Sequence, residues 1–270
     1  MTYWRGLLAT LALMPVSDTT QFGVVRLDGE GNIVAFQEKP DPAEAISNLA
    51  NTGIYVLEPE VLRYVPEGAF FDFANDLSPR LLQAREGFVG YEGDFYWSDV
   101  GTLEAYKAAQ ADALSGKVQV KIPGEHLGAN LWVCEGAQLH ATAALEGSVV
   151  LGRNAVVGRG ADLSGGVTVG SDCWVHPGAN VKNSILLPGS CVGNGARLEG
   201  CIVGPSHAVR PGERIRGATL SRGFGAAAAR RRAVAGRRLP KDPNVRSGER
   251  SLGATLFRTA RRSGPLKSPA

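Results

Sequence analysis

Large aliphatic residues recur at every sixth position along the second half of this chain: Leu127, Val133, Leu139, Leu145, Leu151, Val157, Leu163, Val169, Val175, Val181 and Leu187. At the Leu and Val content of the sequence, an unpatterned chain would give such a run with a probability on the order of 10^-8. Neither a helix nor a flat strand keeps a period of six, but a coil of three short strands with a corner after each does. Two residues before each large aliphatic stands a small or branched apolar one: Ala137, Ala143, Val149, Ala155, Ala161, Val167, Cys173, Ala179 and Ile185. Alternating small and large inward positions predict a narrow triangular prism. Gly128, Gly152, Gly158 and Gly170 directly follow ladder residues, where turning corners need backbone freedom. Beyond Leu187 the steps become 5, 6, 5, 6 and 6 residues, reaching Val192, Leu198, Val203, Val209 and Ile215. This predicts a stack that loosens and ends near Leu220, after roughly five turns of about 18 residues.

Upstream the pattern changes to mixed α/β. Phe22 to Leu27 reads as a strand, Asp28 to Asn32 as a turn, and Ile33 to Gln37 as a returning strand. Further strands are predicted over Asn51 to Leu57 and Phe95 to Val100, with helices over Asp76 to Arg85 and from Thr102 to about Ala113, Thr102 serving as cap. Pro123-Gly124 marks the join to the prism. Gly6 to Val16 after Arg5 mimics a short signal-peptide core, but no small-x-small cleavage site follows. No stretch of 18 apolar residues exists, so no membrane span is expected, and the sequence reads as a cytoplasmic protein.

The formal charge of +3 hides an asymmetry: residues 221–270 carry 13 Lys or Arg against Asp242 and Glu249, a net of +11, which leaves −8 on residues 1–220. Composition favours a disordered basic extension over a nucleic-acid or membrane arm, so no nucleic-acid partner is expected. Cys134, Cys173, Cys191 and Cys201 lack a CxxC pair or a His partner at metal-ligand spacing. Cys173 and Cys191 are assigned to the small inward slot, as buried thiols in a reducing compartment.

Three short segments carry candidate chemistry. Glu38-Lys39-Pro40 ends a strand, where Pro stops the ladder and presents an acid and an amine side by side. Asn51-Thr52-Gly53 starts another, and Gly53 lets a ligand approach the backbone. Asp99 lies between an aromatic strand end and a helix start, and a lone carboxylate suits Mg²⁺. Singly, each has a structural alternative: a solvated ion pair, a bulge, a helix cap.

The hexad resembles the hexapeptide repeat of left-handed parallel β-helices. The hand comes from that resemblance, since parallel crossovers are otherwise right-handed. The segments LLATLALMPV, QFGVVRLD, GNIVAFQEKP, NTGIYVLEPEVL, FDFANDLSPRLL and YWSDVGTLEAY, followed by such a helix, closely resemble sugar-1-phosphate nucleotidyltransferases, most of all mannose-1-phosphate guanylyltransferases and related NDP-sugar synthases. The resemblance implies a Rossmann-like catalytic portion over residues 1–117, a left-handed β-helix over 118–220, and the basic extension over 221–270. It implies a reaction joining an NTP to a sugar 1-phosphate, with GDP-mannose and pyrophosphate as products and Mg²⁺ as cofactor. By the same resemblance, Glu38 hydrogen-bonds sugar hydroxyls and Lys39 neutralises the sugar phosphate. Gly23 lies against the sugar, Asn51, Thr52 and Gly53 line its pocket, and Asp99 is one of two metal aspartates.

The sequence departs from the family pattern in two respects. Residues 1–20 hold one glycine, Gly6, and no loop able to wrap a triphosphate; the second metal aspartate is also absent. Gly158-Arg159-Gly160 and Gly193-Asn194-Gly195 belong to repeat corners. The chain therefore reads as an N-terminally truncated, incomplete nucleotidyltransferase domain, inactive alone. Two other readings remain open. One is a hexapeptide acyltransferase using a β-helix histidine as base, with His140, His176 and His207 available, His126 just before the repeat, and His176 the best placed. The other is a non-catalytic oligomerisation or regulatory module, in which Trp132 and Trp174 could anchor a homo-oligomeric interface through the prism.

Overall fold

The computed structural model describes residues 6–128 and 130–221. The basic extension, apart from Ser221, lies outside the described residues, as does Arg5. The chain divides between Asp99 and Val100 into two compact units.

The first unit is built on a five-stranded sheet of order β3-β2-β4-β1-β5, comprising β1 (Leu7–Pro15), β2 (Gly23–Leu27), β3 (Ile33–Glu38), β4 (Leu49–Leu57) and β5 (Gly87–Glu92). β1 runs antiparallel to β4 and parallel to β5. The apolar run that mimics a signal-peptide core is therefore an interior strand. Ala9, Leu11 and Leu13, two apart, turn to one face and are at most 2% exposed. Val61 from the 3₁₀ turn Pro59–Tyr64, Leu77, and Leu81 of α1 (Ser78–Ala84) pack on that face. Each fully buried leucine contributes about 1.5–3 kcal/mol toward holding this strand in place.

Two expectations are corrected in this unit. The helix begins at Ser78 rather than Asp76, because Pro79 suits a first turn and residues Phe73–Leu77 form a wider π turn. Phe95 to Val100 forms no strand. The ladder partner of β1 is instead Gly87–Glu92, and Gly87 and Gly90 fit there because a Cβ on either would strike neighbouring backbone or leucine side chains.

The second unit opens with α2 (Leu103–Leu114), capped as expected: Thr102 Oγ1 accepts the Ala105 N–H at 3.1 Å. α2 is fastened to the prism, with Gln110 Nε2 donating to Thr168 Oγ1 at 2.7 Å and Ser148 Oγ donating to the Leu114 carbonyl at 3.2 Å. The prism is a parallel β-solenoid of about five turns with three sheets as its faces. A two-residue strand, Glu125–His126, pairs antiparallel with the first rung, and His126 stacks on Trp132 with ring centroids 4.6 Å apart.

The period behaves differently from the sequence expectation after Val181. Val149 pairs with Leu131 and with Val167, steps of 18 residues, but Val169 pairs with Leu186 and Leu186 with Val203, steps of 17. Leu186, fully buried, is thus the inward residue, and Leu187 lies outside the core. The missing residue is always taken from the same corner: Val181 to Leu186, Leu198 to Val203 and Ile215 to Leu220. The stack does not loosen; it tightens to a regular shorter turn. Ser184 rather than Ile185 then fills the small slot, its Oγ accepting the Cys201 N–H at 3.0 Å and donating to the Lys182 carbonyl at 2.7 Å. Likewise Ser190 and Cys201 are the buried slot residues, and Cys191 is only half-buried.

Of the glycines after ladder residues, Gly128 takes the positive φ (66°) expected of a corner, but the other three have a different cause. Gly152, Gly158 and Gly170 do not have positive φ. A Cβ on Gly152 would lie 2.5 Å from the Ser171 nitrogen, so glycine is needed there for close stacking of successive coils. Left-handed backbone falls later in the corner, at positions such as Asn154 (φ 55°) and Asp172 (φ 57°), whose side chains bond each other at 3.1 Å.

Candidate functional site

The strand ends of the first unit bring most of the candidate residues together. β2 and β3 pair so that Gly23 lies opposite Glu38. A Cβ on Gly23 would stand 2.6 Å from Glu38 Oε2 and 2.6 Å from Phe36 Cζ, so the absent side chain is what admits the carboxylate. Lys39 follows in the left-handed region (φ 44°), its N–H donating to the Phe22 carbonyl at 3.1 Å. Backbone strain at a non-glycine position commonly accompanies a constrained function. Lys39 Nζ is 3.8 Å from Glu38 Oε1 and largely exposed. At that exposure the pair contributes little, leaving the ammonium available to an anion.

Asn51, Thr52 and Gly53 form a bulge in β4. Leu11 pairs with Tyr55 and Leu13 with Asn51, so β4 carries two extra residues opposite β1. Gly53 takes φ 76° and a Cβ there would meet nothing within 4 Å, which leaves its backbone open to a ligand. Asn51 Oδ1 accepts the Gly53 N–H at 2.8 Å, and Asn51 Nδ2 donates to Tyr55 Oη at 2.8 Å. Thr52, nearly buried, donates from Oγ1 to the Ala12 carbonyl at 2.8 Å. The bulge and binding-loop readings of Gly53 are therefore compatible.

Sequence reasoning missed Tyr55, Asp72 and Trp97. Burial pushes the Tyr55 phenol up from its ordinary value, and the negative charges of Asp72 and Glu38 add to this against the Asn51 hydrogen bond. Its ring meets Phe73 edge-on at 5.5 Å. Trp97 Nε1 donates to the Thr52 carbonyl at 3.1 Å, and its ring packs edge-on against Phe22 at 5.3 Å. These contacts hold the irregular segment 93–99 over the bulge. Only the aromatic run Phe95-Tyr96-Trp97 hinted at this.

Asp99 is exposed, and the cap of α2 is Thr102, so the carboxylate is not used as a helix cap. Among the described residues no group of three or more His, Cys, Asp or Glu stands ready for a metal ion. A single accessible carboxylate nevertheless fits the way Mg²⁺ binds, through one or two carboxylates with water and substrate oxygens completing the shell.

The histidines of the prism are differently engaged. His140 Nδ1 lies 2.9 Å from Thr142 Oγ1, and His126 is stacked on Trp132. His176 is half-buried beside Trp174, and burial lowers its pKa.

Residues 4–116 match the nucleotidyl transferase family, and residues 145–234 match the GMPPB C-terminal domain. The chain belongs to the sugar-1-phosphate nucleotidyltransferases. It is 35% identical to the UTP–glucose-1-phosphate uridylyltransferase of Synechocystis sp. over 200 residues, 72% of this chain and 51% of that protein. A glucose-1-phosphate adenylyltransferase of Desulfitobacterium hafniense is 30% identical over 220 residues, 75% of this chain and 51% of that protein. A mannose-1-phosphate guanylyltransferase of Mycobacterium tuberculosis is 34% identical over 175 residues, 62% and 47% of the respective chains. The chain spans about half the length of the curated relatives it matches. Members of the nucleotidyl transferase family generally use divalent metal ions and bind sugar phosphates and nucleoside triphosphates. No helix among the described residues is long and apolar enough to cross a membrane.

Proposed function

We propose that residues 1–117 supply the sugar-phosphate half of a nucleotidyltransferase site, and that residues 118–220 form its attached β-helix. Mannose 1-phosphate with GTP is the substrate pair, giving GDP-mannose and pyrophosphate. The mannose-1-phosphate guanylyltransferase relative supports mannose, although uridylyl- and adenylyltransferase relatives match as well. The observation that carries the reading is the juxtaposition of Glu38, opposite a glycine, with the exposed, weakly paired ammonium of Lys39.

In this reading Lys39 neutralises the sugar phosphate, and Glu38 accepts hydrogen bonds from sugar hydroxyls. Gly53 brings bare backbone against the sugar, and the Asn51–Tyr55 hydrogen bond holds the bulge that presents it. Asp99 would hold Mg²⁺, which neutralises phosphate charge and aligns the reacting oxygens. Catalysis of this type rests on alignment and charge neutralisation, and residues 1–20, with Gly6 their one glycine, hold no glycine-rich run to wrap a triphosphate. Sugar-phosphate binding without turnover is therefore the expected behaviour of this chain by itself.

Isothermal titration with mannose 1-phosphate and glucose 1-phosphate tests the reading. Saturable binding of mannose 1-phosphate, weakened roughly tenfold or more by Lys39→Met, supports it. Equal binding by wild type and Lys39→Met, or pyrophosphate release from GTP by the unassisted chain, would overturn it. A cytoplasmic setting agrees with four unpaired thiols, and homo-oligomerisation through the prism is checked by light scattering.

A further inference from the structure

The three faces of the prism differ in charge. Outward positions along the strands of two faces are mostly uncharged: Trp132, Val150, Thr168 and Ile185 on one, Gln138, Val156, Trp174 and Cys191 on the next. The third face carries Asp162, Asn180, Arg197 and Arg214 in one register column, and Lys182, Glu199 and Arg216 in the other. Its last rungs enclose an open groove of about 340 Å³ lined by both columns.

The charges in this groove are not balanced. Glu199 Oε2 pairs with Arg216 Nε at 3.4 Å, and Asp162, two rungs from Arg197, accepts from Asn180 Nδ2 at 2.8 Å. Arg197, Arg214 and Lys182 have no carboxylate partner among the described residues. Arg197 and Arg214 are direct register partners on adjacent rungs, about 4.8 Å apart along the stack. Like charges placed directly opposite on a sheet destabilise it unless something of opposite sign lies between them. Two guanidinium forks at that spacing match the oxygens of one phosphate group, each offering parallel N–H donors, with Lys182 one rung earlier in the adjacent column. The surrounding body, residues 1–220, is net −8, so the concentration of positive charge is local.

We propose that this groove is a phosphate-binding site, separate from the sugar-phosphate residues of the first unit, with Arg197 and Arg214 clamping a phosphate dianion. Its source is either free inorganic phosphate or pyrophosphate, or the phosphate of a small sugar ester.

The test is titration calorimetry on the full chain carrying Lys39→Met, with inorganic phosphate, pyrophosphate and mannose 1-phosphate at low ionic strength. One saturable site is expected, weakened roughly tenfold or more by Arg197→Gln or Arg214→Gln, and the tightest arm identifies the source. Thermal melts give an independent readout. In phosphate-free buffer Arg214→Gln melts no lower than its parent, whereas millimolar phosphate raises the Tm of the parent and leaves that of the variant unchanged. Absence of saturable binding by the folded chain, or binding indifferent to both arginine variants, overturns the proposal. So does light scattering that shows Arg214→Gln abolishing self-association without any phosphate binding, which would assign the face to a second copy. Because Lys39→Met removes the proposed sugar-phosphate lysine beforehand, failure at one site is not mistaken for failure at the other.

Discussion

Gly23→Ala is the sharpest probe of the site, because it adds one methyl group to an otherwise unchanged backbone. Gly23 does not have a positive φ, so alanine is conformationally allowed, and the only conflict is steric. The new Cβ would stand 2.6 Å from both Glu38 Oε2 and Phe36 Cζ. Ordinary contact needs 3.5–4.0 Å, so each must retreat by roughly 1 Å. The carboxylate terminus yields more easily than the ring, and Glu38 is therefore the group displaced. If Glu38 hydrogen-bonds the sugar, that shift removes a charge-assisted bond worth about 1.5–3 kcal/mol, or roughly 10- to 150-fold in Kd. The fold bears an overpacking cost of about 1–3 kcal/mol, limited because buried Gly23 faces the exposed Glu38 at the end of the edge strand β3, and circular dichroism should show an unchanged spectrum. Calorimetry with mannose 1-phosphate on Gly23→Ala, beside Glu38→Gln, provides the assay. Both variants should lose affinity to a similar degree. Wild-type affinity in a folded Gly23→Ala chain would refute the idea that Gly23 exists to place Glu38, and wild-type affinity in Glu38→Gln would remove Glu38 from the site.

Lys39→Gly separates stability from function in the opposite way: relief of the left-handed backbone should hold or raise Tm by about 1 kcal/mol equivalent, while sugar-phosphate affinity falls. Ser184→Ala leaves the buried Cys201 N–H without its acceptor and should cost about 1–3 kcal/mol, read by denaturant titration. Burial lowers the His176 pKa from its usual value near 6.5, so the folded state takes up the proton less readily than the unfolded chain. Its contribution is present above pH ~6.5 and is lost as pH falls through the lower folded value, so His176→Gln should flatten the stability profile on the acid side, measured as the difference between the two melts. Asp99→Asn should leave the melting curve unchanged and abolish any Mg²⁺-dependent gain in sugar-phosphate affinity.

The prism was legible because its physics is one-dimensional. Each coil stacks only on its neighbours, so the inward positions must recur at the coil's own period, and eleven hits fix that period firmly. What the ladder concealed was the shortening after Val181. Leu186 and Leu187 are adjacent and equally apolar, so sequence spacing alone selects the one that continues the count of six. Register decides otherwise, since Leu186 sits on Val169. The polar residue Ser184 was the available sign, as a serine with both hydrogen-bonding roles met can occupy a core slot that an isoleucine would overfill. β1 was obscured for a related reason: its apolar residues run almost without interruption, and a continuous run does not reveal its period.

The site was legible only where residue chemistry and backbone constraint coincide. Glu38-Lys39-Pro40 sets two charged side chains at the end of the edge strand β3, and Gly53 sets bare backbone in a bulge of the central strand β4, so in both the ladder is interrupted where the chemistry sits. Tyr55 acts on Asn51 across a bulge and feels the charge of Asp72, and Trp97 reaches Thr52 and Phe22 from far along the chain, none of which a strand or helix period encodes. Yet they determine whether the bulge is rigid. Asn51 holds the Gly53 N–H on one side and is itself held by Tyr55 on the other, so removing the phenol frees the amide to rotate. Tyr55→Phe keeps the packing against Phe73 and deletes only that oxygen. It should therefore weaken sugar-phosphate binding by a smaller factor than Lys39→Met while leaving Tm nearly unchanged, as expected of a positioning residue. A loss of stability as large as the loss of affinity would instead make Tyr55 a core residue whose nearness to the site is incidental.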